Sequence, residues 1–263
     1  MHPVLADFGV VRIYAYGVLI AVGVGLAWLY IRAVLRPYCA DAERISKLFA
    51  WSALAAFVGG KALYFLEAPV YFANHASEAL EMSGSGFVFY GSFLFVIPTI
   101  YAFAAVERIP AAPVFDASAI GGAIIHGCGK IGCLLAGCCY GRVSEPGWWT
   151  LTFEDPHSNA HPLHQPLYAT QAYDALLIFG ALGVLFWLRA RHLARGRLML
   201  VYAILYSAGR FFTEMYRGDE ERGWLFDHRI THSQFIGVLL IAACALLWLY
   251  LSRTTPQART PAR

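Results

Sequence analysis

Apolar residues in this chain come in long runs, not in the alternation of surface strands or the one-sided stripes of soluble helices. Seven runs stand out, near 14–35, 47–66, 87–106, 114–136, 168–188, 198–216 and 233–252. Each approaches the roughly 20 apolar residues that a helix needs to cross a bilayer core. The pattern predicts an all-α integral membrane protein of about seven transmembrane helices. The third and fourth runs are broken by Gly, Pro or ionisable residues, which leaves a re-entrant or half-buried helix open for them. No basic stretch precedes the first run and no small-x-small site follows it, so the first helix is expected to stay in the mature protein.

The polar segments between the runs set a direction. Arg32, Arg36, Arg44, Lys47, Arg108, Arg189, Arg191, Arg195, Arg197, Arg253, Arg259 and Arg263 fall on one side, 12 of the 20 basic residues. The other side holds few cations and most of the acids. Basic loops stay in the cytoplasm. The reading therefore places the N-terminus outside and the C-terminus in the cytoplasm. Outer loops fall near 67–86, 137–167 and 217–232, and a polar tail occupies 254–263. The 137–167 loop carries Trp148, Trp149 and three His, so it is expected to be folded.

Composition supports this. Hydrophobic residues make up 59% of the 263, and charged residues 14%, against about 25% charged in soluble domains. One membrane domain over 1–253 follows, and no nucleic-acid partner is expected. Six Cys are too few for a disulfide scaffold. Cys128, Cys133, Cys138 and Cys139 cluster, but without the C-x2–4-C pairs of structural zinc sites. The expectation is no metal and no cofactor, with these Cys packing as small apolar residues. A disulfide among them on an oxidising outer side stays open.

Ionisable residues at bilayer depth are costly and face a partner or a cavity. Here they are Lys61, Asp116, His126 with Lys130 one turn on, and Arg210 with Glu214 one turn on. Asp116 reads most simply as a helix start; snorkelling or pairing stays open for Lys61, and a purely structural ion pair is the plainer alternative for Arg210 with Glu214. Lys61, Lys130 and Arg210 have Glu214 as their one obvious counterion at depth. An unpaired cation there implies an anionic ligand, and a phospholipid phosphate is the natural one. Seven Gly between 121 and 142 indicate close helix approach, a broken helix, or backbone near a ligand.

At that stretch the chain resembles the prolipoprotein diacylglyceryl transferases. GKIGCLLAGCCYGR at 129–142 matches the family fingerprint G-R-x-G-N-x-x-N-x-E-x-x-G-R. In the same order come Tyr16-Gly17, Gly59-Gly60-Lys61, GFVFYGS at 86–92, YATQAYD at 168–174, the set Tyr206, Arg210, Glu214 and Arg217, and a late HSQ ending at Gln234. The resemblance implies transfer of a diacylglyceryl group from phosphatidylglycerol to the lipobox cysteine of a prolipoprotein signal peptide. It implies a multi-pass protein of the bacterial inner membrane among membrane lipids, its site facing the periplasm. In that reading Arg210 and Lys130 hold the phosphate and Glu214 orients Arg210. Tyr16 and Tyr206 bind the headgroup, Gln171 and Tyr173 shape the site, and Lys61, Cys133 and Gly141 line it. The chain departs from the pattern: Tyr90 replaces the family's His, Lys130 its Arg, Cys133 an Asn and Cys138 the acid. His126 is the candidate base, with Tyr90 beside Lys130 as the other. A related headgroup transferase with another acceptor, or a non-catalytic lipid-binding protein, are the competing readings.

Overall fold

The computed structural model describes residues 3–9, 12–67, 89–218, 224–225 and 229–254. Long helices dominate them: α1 (Ala15–Leu35), α2 (Ala42–Glu67), α3 (Phe89–Val106), α4 (Ala111–Ala136), α5 (Thr170–Ala190), α6 (Leu198–Thr213) and α7 (His232–Thr254). Among the described residues five are long and apolar enough to cross a membrane: α1, α2, α4, α5 and α7. The chain is thus an all-α, multi-pass membrane protein. Helix α3 is apolar but shorter over its described side chains, and α6 has 16 residues.

Boundaries moved where polar residues hide a helical turn from hydropathy. Helix α2 begins at Ala42, five residues before the apolar run, and Lys47 Nζ meets Glu43 Oε1 at 2.9 Å across that first turn. Helix α4 begins at Ala111, so Asp116 is buried in its second turn and does not start the helix as expected. Pro113 is tolerated because it sits in the first turn, where no backbone donor is needed. Helix α6 stops at Thr213 and tightens into a 3-10 turn, Glu214–Tyr216, where the apolar run predicted continuous helix to 216.

The helices fall into two compact units, one of residues 28–118 and one of residues 1–27 with 119–263. In the first, α2 packs on α3. The contact is backbone on backbone. A methyl added at Gly59 would run into the Gly91 carbonyl oxygen, and one at Gly91 would run into that of Gly59. Ser92 Oγ donates to Ala56 O at 2.8 Å at the same crossing. Small residues that let helices approach closely are the usual glue of membrane bundles. Lys61 is half-buried, its ammonium 5.8 Å from the Tyr64 ring centre. The expected 67–86 loop lies outside the described residues except for Glu67.

In the other unit α5 packs on α6, and α6 on α7. Helix α4 approaches α5 where Gly127 faces the Phe179 ring, so closely that an added methyl would lie 2.8 Å from its Cζ. It approaches α1 where Gly132 faces Tyr16. These two glycines answer the Gly-rich stretch with close packing. Short antiparallel hairpins join the helix ends: β1 (Val4–Asp7) with β2 (Arg12–Tyr14), β3 (Thr150–Thr152) with β4 (Pro166–Tyr168), and β5 (Trp224–Leu225) with β6 (Ile230–Thr231). The β3–β4 hairpin sits in the long loop after α4, over a small core of Phe153, Ala160 and Leu167. That loop is folded, as its aromatic content predicts.

Candidate active site

A buried chain of charges and hydroxyls links α4, α5, α6 and α7. Lys130 Nζ, on α4, donates to Asp174 Oδ2, on α5, at 2.7 Å. Asp174 Oδ1 accepts from Thr213 Oγ1 at 2.8 Å, and that hydroxyl accepts from Arg210 Nη1 at 3.2 Å. Arg210 Nη2 meets Glu214 Oε2 at 2.5 Å, one helical turn on. Glu214 Oε1 accepts from Thr231 Oγ1 at 3.2 Å. Gln234, in the first turn of α7, accepts from Thr231 N at 3.0 Å and donates to Phe211 O at 3.1 Å. Each buried ion costs several kcal/mol of lost hydration, which only good pairing offsets. Two cations and two carboxylates meet that condition here.

This corrects one sequence expectation. Lys130 and Arg210 are both neutralised inside the protein, Lys130 by Asp174, the last residue of the 168–174 motif. Both cations at this depth therefore already have carboxylate partners. Among the described residues, pairing still leaves donors. Lys130 spends one of three on Asp174, and Arg210 spends two of five on Thr213 and Glu214.

The other predicted residues divide. His126 lies near this network, its Nδ1 2.9 Å from the Tyr202 hydroxyl and its ring 4.7 Å, edge to face, from that of Tyr206. Gln171, in the first turn of α5, is fully buried, and neither atom of its amide has a hydrogen-bond partner among the described residues. Tyr16 leans on Gly132 of α4. Tyr173 donates its hydroxyl to Trp149 O. Gly141 is a structural clamp: an added methyl would lie 2.5 Å from Tyr168 Cβ and 2.7 Å from Tyr216 O. Its N–H donates to Tyr168 O at 3.0 Å, while Arg142 N donates to Tyr216 O at 2.9 Å. The fingerprint loop is thus stitched to the ends of α5 and α6. Lys61 belongs to the other unit, and the side chain of Tyr90 lies outside the described residues.

The largest surprise is the turn after α4. Gly137, at φ +77°, caps the helix, and its N–H donates to Cys133 O at 2.9 Å. Cys139 then adopts φ +60°, a left-handed conformation that costs a non-glycine residue roughly 1–2 kcal/mol. The two reversals fold Cys138 and Cys139 back over Cys133. All three Sγ atoms lie within 4.8 Å of one another, and all three thiols are free. Thr170 Oγ1, fully buried at the start of α5, donates to Cys139 O at 2.7 Å and fixes the turn. Hydrogen bonds from the Cys133 and Cys138 thiols, then the charges of Arg217 and Lys130, hold the Cys139 thiol below its ordinary range. Separate small apolar packers were expected here. That description suits Cys39, Cys128 and Cys244, all buried elsewhere.

Sequence reasoning held Asp174 only as the end of the 168–174 motif, with no role, and missed Thr213, Tyr202 and Thr231. Spacing held a signal for three. Asp174 follows Gln171 by three, Thr213 follows Arg210 by three, and Tyr202 precedes Tyr206 by four, each pair sharing a helix face. Thr231 sits in a two-residue strand and gave none.

The family profile described as prolipoprotein diacylglyceryl transferase matches residues 3–250. The chain is 31% identical over 251 residues to phosphatidylglycerol–prolipoprotein diacylglyceryl transferase 2 of Clostridium perfringens, covering 94% of each chain. It is 30% identical over 245 residues to the phosphatidylglycerol–prolipoprotein diacylglyceryl transferase of Clostridium tetani, covering 92% of this chain and 94% of that one. A protein of the same name from Rhodospirillum rubrum is 25% identical over 264 residues, covering 98% of this chain and 95% of that one. This chain belongs to the prolipoprotein diacylglyceryl transferase family.

Proposed function

We propose that this protein transfers the diacylglyceryl group of phosphatidylglycerol to the cysteine thiol of a prolipoprotein lipobox. The acceptor sulfur forms a bond to the glycerol carbon that carries the phosphate. The carbon–oxygen bond breaks, and glycerol phosphate leaves with the electron pair. One observation carries the reading: in a chain similar to that enzyme family along its length, two cations with unspent donors sit at bilayer depth on neighbouring helices. Lys130 and Arg210 hold the phosphate and offset the charge growing on the leaving oxygen. Preorganised stabilisation of that kind usually supplies more of an enzyme's rate enhancement than any other single effect. Asp174 and Glu214 hold those cations in place, so the phosphate meets them with little reorganisation. His126, oriented by Tyr202, receives the thiol proton. The buried amide of Gln171 offers a donor and an acceptor, which suits the hydroxyls of a glycerol headgroup.

The same reading sets the topology. All seven helices span or line the bilayer of the bacterial inner membrane, with the N-terminus outside and the C-terminal tail in the cytoplasm. The basic residues at 32–47, 189–197 and 253–263 support that direction. The thiol cluster and the folded 137–167 loop then face the periplasm, where prolipoproteins present their cysteine.

Complementation tests the function. A strain depleted of its own diacylglyceryl transferase, expressing this chain, should regain growth and a lipid-dependent mobility shift of a prolipoprotein on gels. Abundant, membrane-inserted protein that leaves the prolipoprotein unshifted would remove the reading. A lipid product on a different acceptor would put a related headgroup transferase in its place.

A further inference from the structure

We infer that Cys133, Cys138 and Cys139 form a binding site for one thiophilic d10 cation, zinc in the first instance, whose open fourth position takes the acceptor thiol. The binding site itself stands on geometry. Tetrahedral zinc with sulfur at about 2.3 Å holds its ligands roughly 3.8 Å apart. Three Sγ atoms already within 4.8 Å of one another need only small shifts to reach that spacing. The site is built in advance. Two left-handed residues, Gly137 and Cys139, turn the chain back on itself, and Thr170 anchors the carbonyl of Cys139. Adjacent residues in extended chain point to opposite sides, so the left-handed conformation at Cys139 is what brings two neighbouring thiols to one point. Cys133 is buried, while Cys138 and Cys139 are partly open.

Charge agrees with this. Three thiolates around a divalent ion carry a net charge of minus one. Lys130 and Arg217 both lie within electrostatic reach of Cys139 and offset it. Three protein ligands are also the count of catalytic zinc sites, which keep a position for water or substrate, whereas structural sites use four.

The open position rests on the transferase reading. A thiol on a divalent ion is deprotonated outright. The acceptor cysteine, bound at the fourth position, gives its proton to His126 and attacks as a metal-bound thiolate. Its sulfur–carbon bond forms as the carbon–oxygen bond to phosphate breaks. The metal changes neither oxidation state nor its three protein ligands, and the thioether product, a weaker ligand, leaves.

Cobalt is the probe. Full-length protein in detergent, reduced and stripped of metal by a chelator, is titrated with Co2+. We expect one equivalent to bind, with intense sulfur-to-cobalt charge-transfer bands and a tetrahedral visible spectrum. Cys133→Ser, Cys138→Ser and Cys139→Ser should each abolish the bands while keeping the helical content of the wild type, and Cys128→Ser should keep them. A lipobox peptide should then shift the visible spectrum when it carries Cys and leave it unchanged when it carries Ser. Removing metal should slow lipid transfer more than tenfold, and zinc should restore it. Bands that survive the three serine variants, absence of stoichiometric binding, or a disulfide within the cluster in rapidly alkylated native protein would each overturn the site. Binding without a response to the thiol peptide would overturn the open position. Wild-type protein that binds cobalt but fails complementation would remove the transferase reading and leave the metal site standing.

Discussion

The ammonium of Lys130 lies 2.7 Å from a carboxylate oxygen of Asp174, and the two come from different helices, 44 residues apart in the chain. The Lys130 side chain is 11% exposed and that of Asp174 not at all. The pair thus acts as a bolt between α4 and α5 as well as a charge in the site. Asp174→Ala leaves a buried ammonium without its partner. It should lower stability by about 3–5 kcal/mol, the usual cost of breaking such a pair, read as earlier thermal unfolding in detergent. Replacing both partners, Lys130→Met with Asp174→Leu, should recover most of that stability and none of the lipid transfer. If the double variant transfers lipid, Lys130 does not touch the phosphate.

Arg210 gives a graded test. Arg210→Ala should cut transfer by about a hundredfold or more, the scale seen when one preorganised donor is removed from a developing oxyanion. Arg210→Lys keeps the charge but loses the planar fork that serves Glu214, Thr213 and a phosphate together. Its activity should fall between those of wild type and Ala. Mobility of a labelled prolipoprotein on gels measures both. Equal rates for Lys and Arg would mean that a point charge suffices there.

His126 separates orientation from proton transfer. Tyr202→Phe removes one hydrogen bond to the ring, a loss of about 0.5–1.5 kcal/mol, so transfer should drop no more than roughly tenfold. His126→Gln removes the base. Transfer by His126→Gln should therefore fall further, by about a hundredfold or more. Transfer by His126→Gln at the rate of Tyr202→Phe would assign the base elsewhere.

Gly141 tests the clamp without touching the charges. Gly141→Val drives a side chain into Tyr168 Cβ, Tyr168 O and Tyr216 O. The strand-like contacts of 141 with 168 and 217 must open. Transfer should be lost together with thermal stability, and the loop 137–167 should become sensitive to added protease. Stable, protease-resistant protein would show that the loop adapts.

Orientation is checked by labelling in intact cells. With the six native Cys replaced by Ser, a single Cys introduced at Ser144 should react with an impermeant maleimide, and one at Arg253 should react only after lysis. The reverse pattern would invert the topology and put the thiol cluster in the cytoplasm.

The fold was legible because a membrane helix announces itself by apolar length alone. Seven runs became seven helices among the described residues, five of them long and apolar enough to cross a membrane, with ends off by a few positions where Glu43, Lys47 or Pro113 begin a helix in polar or turn-like sequence. The site was half legible. Arg210, Glu214, Lys130 and His126 drew notice as ionisable residues in apolar surroundings, and the structure gathers them. Asp174 escaped because counting charges within each helix cannot pair residues on different helices. The thiol cluster escaped for a second reason. Spacing rules for metal ligands assume ordinary turns, whereas Cys133, Cys138 and Cys139 meet through two left-handed reversals, and Cys139 carries no sequence mark of one.

Gly59 and Gly91 hold a longer-range consequence. Each fills the room that the other's side chain would need, so a replacement at either position meets main chain, which has no rotamer to change. Neither can be altered first and repaired afterwards by the other, since the repair site is already the smallest residue there is. A lineage bearing this crossing can leave it only by moving the two helices apart, which makes the contact a ratchet in the history of the sequence.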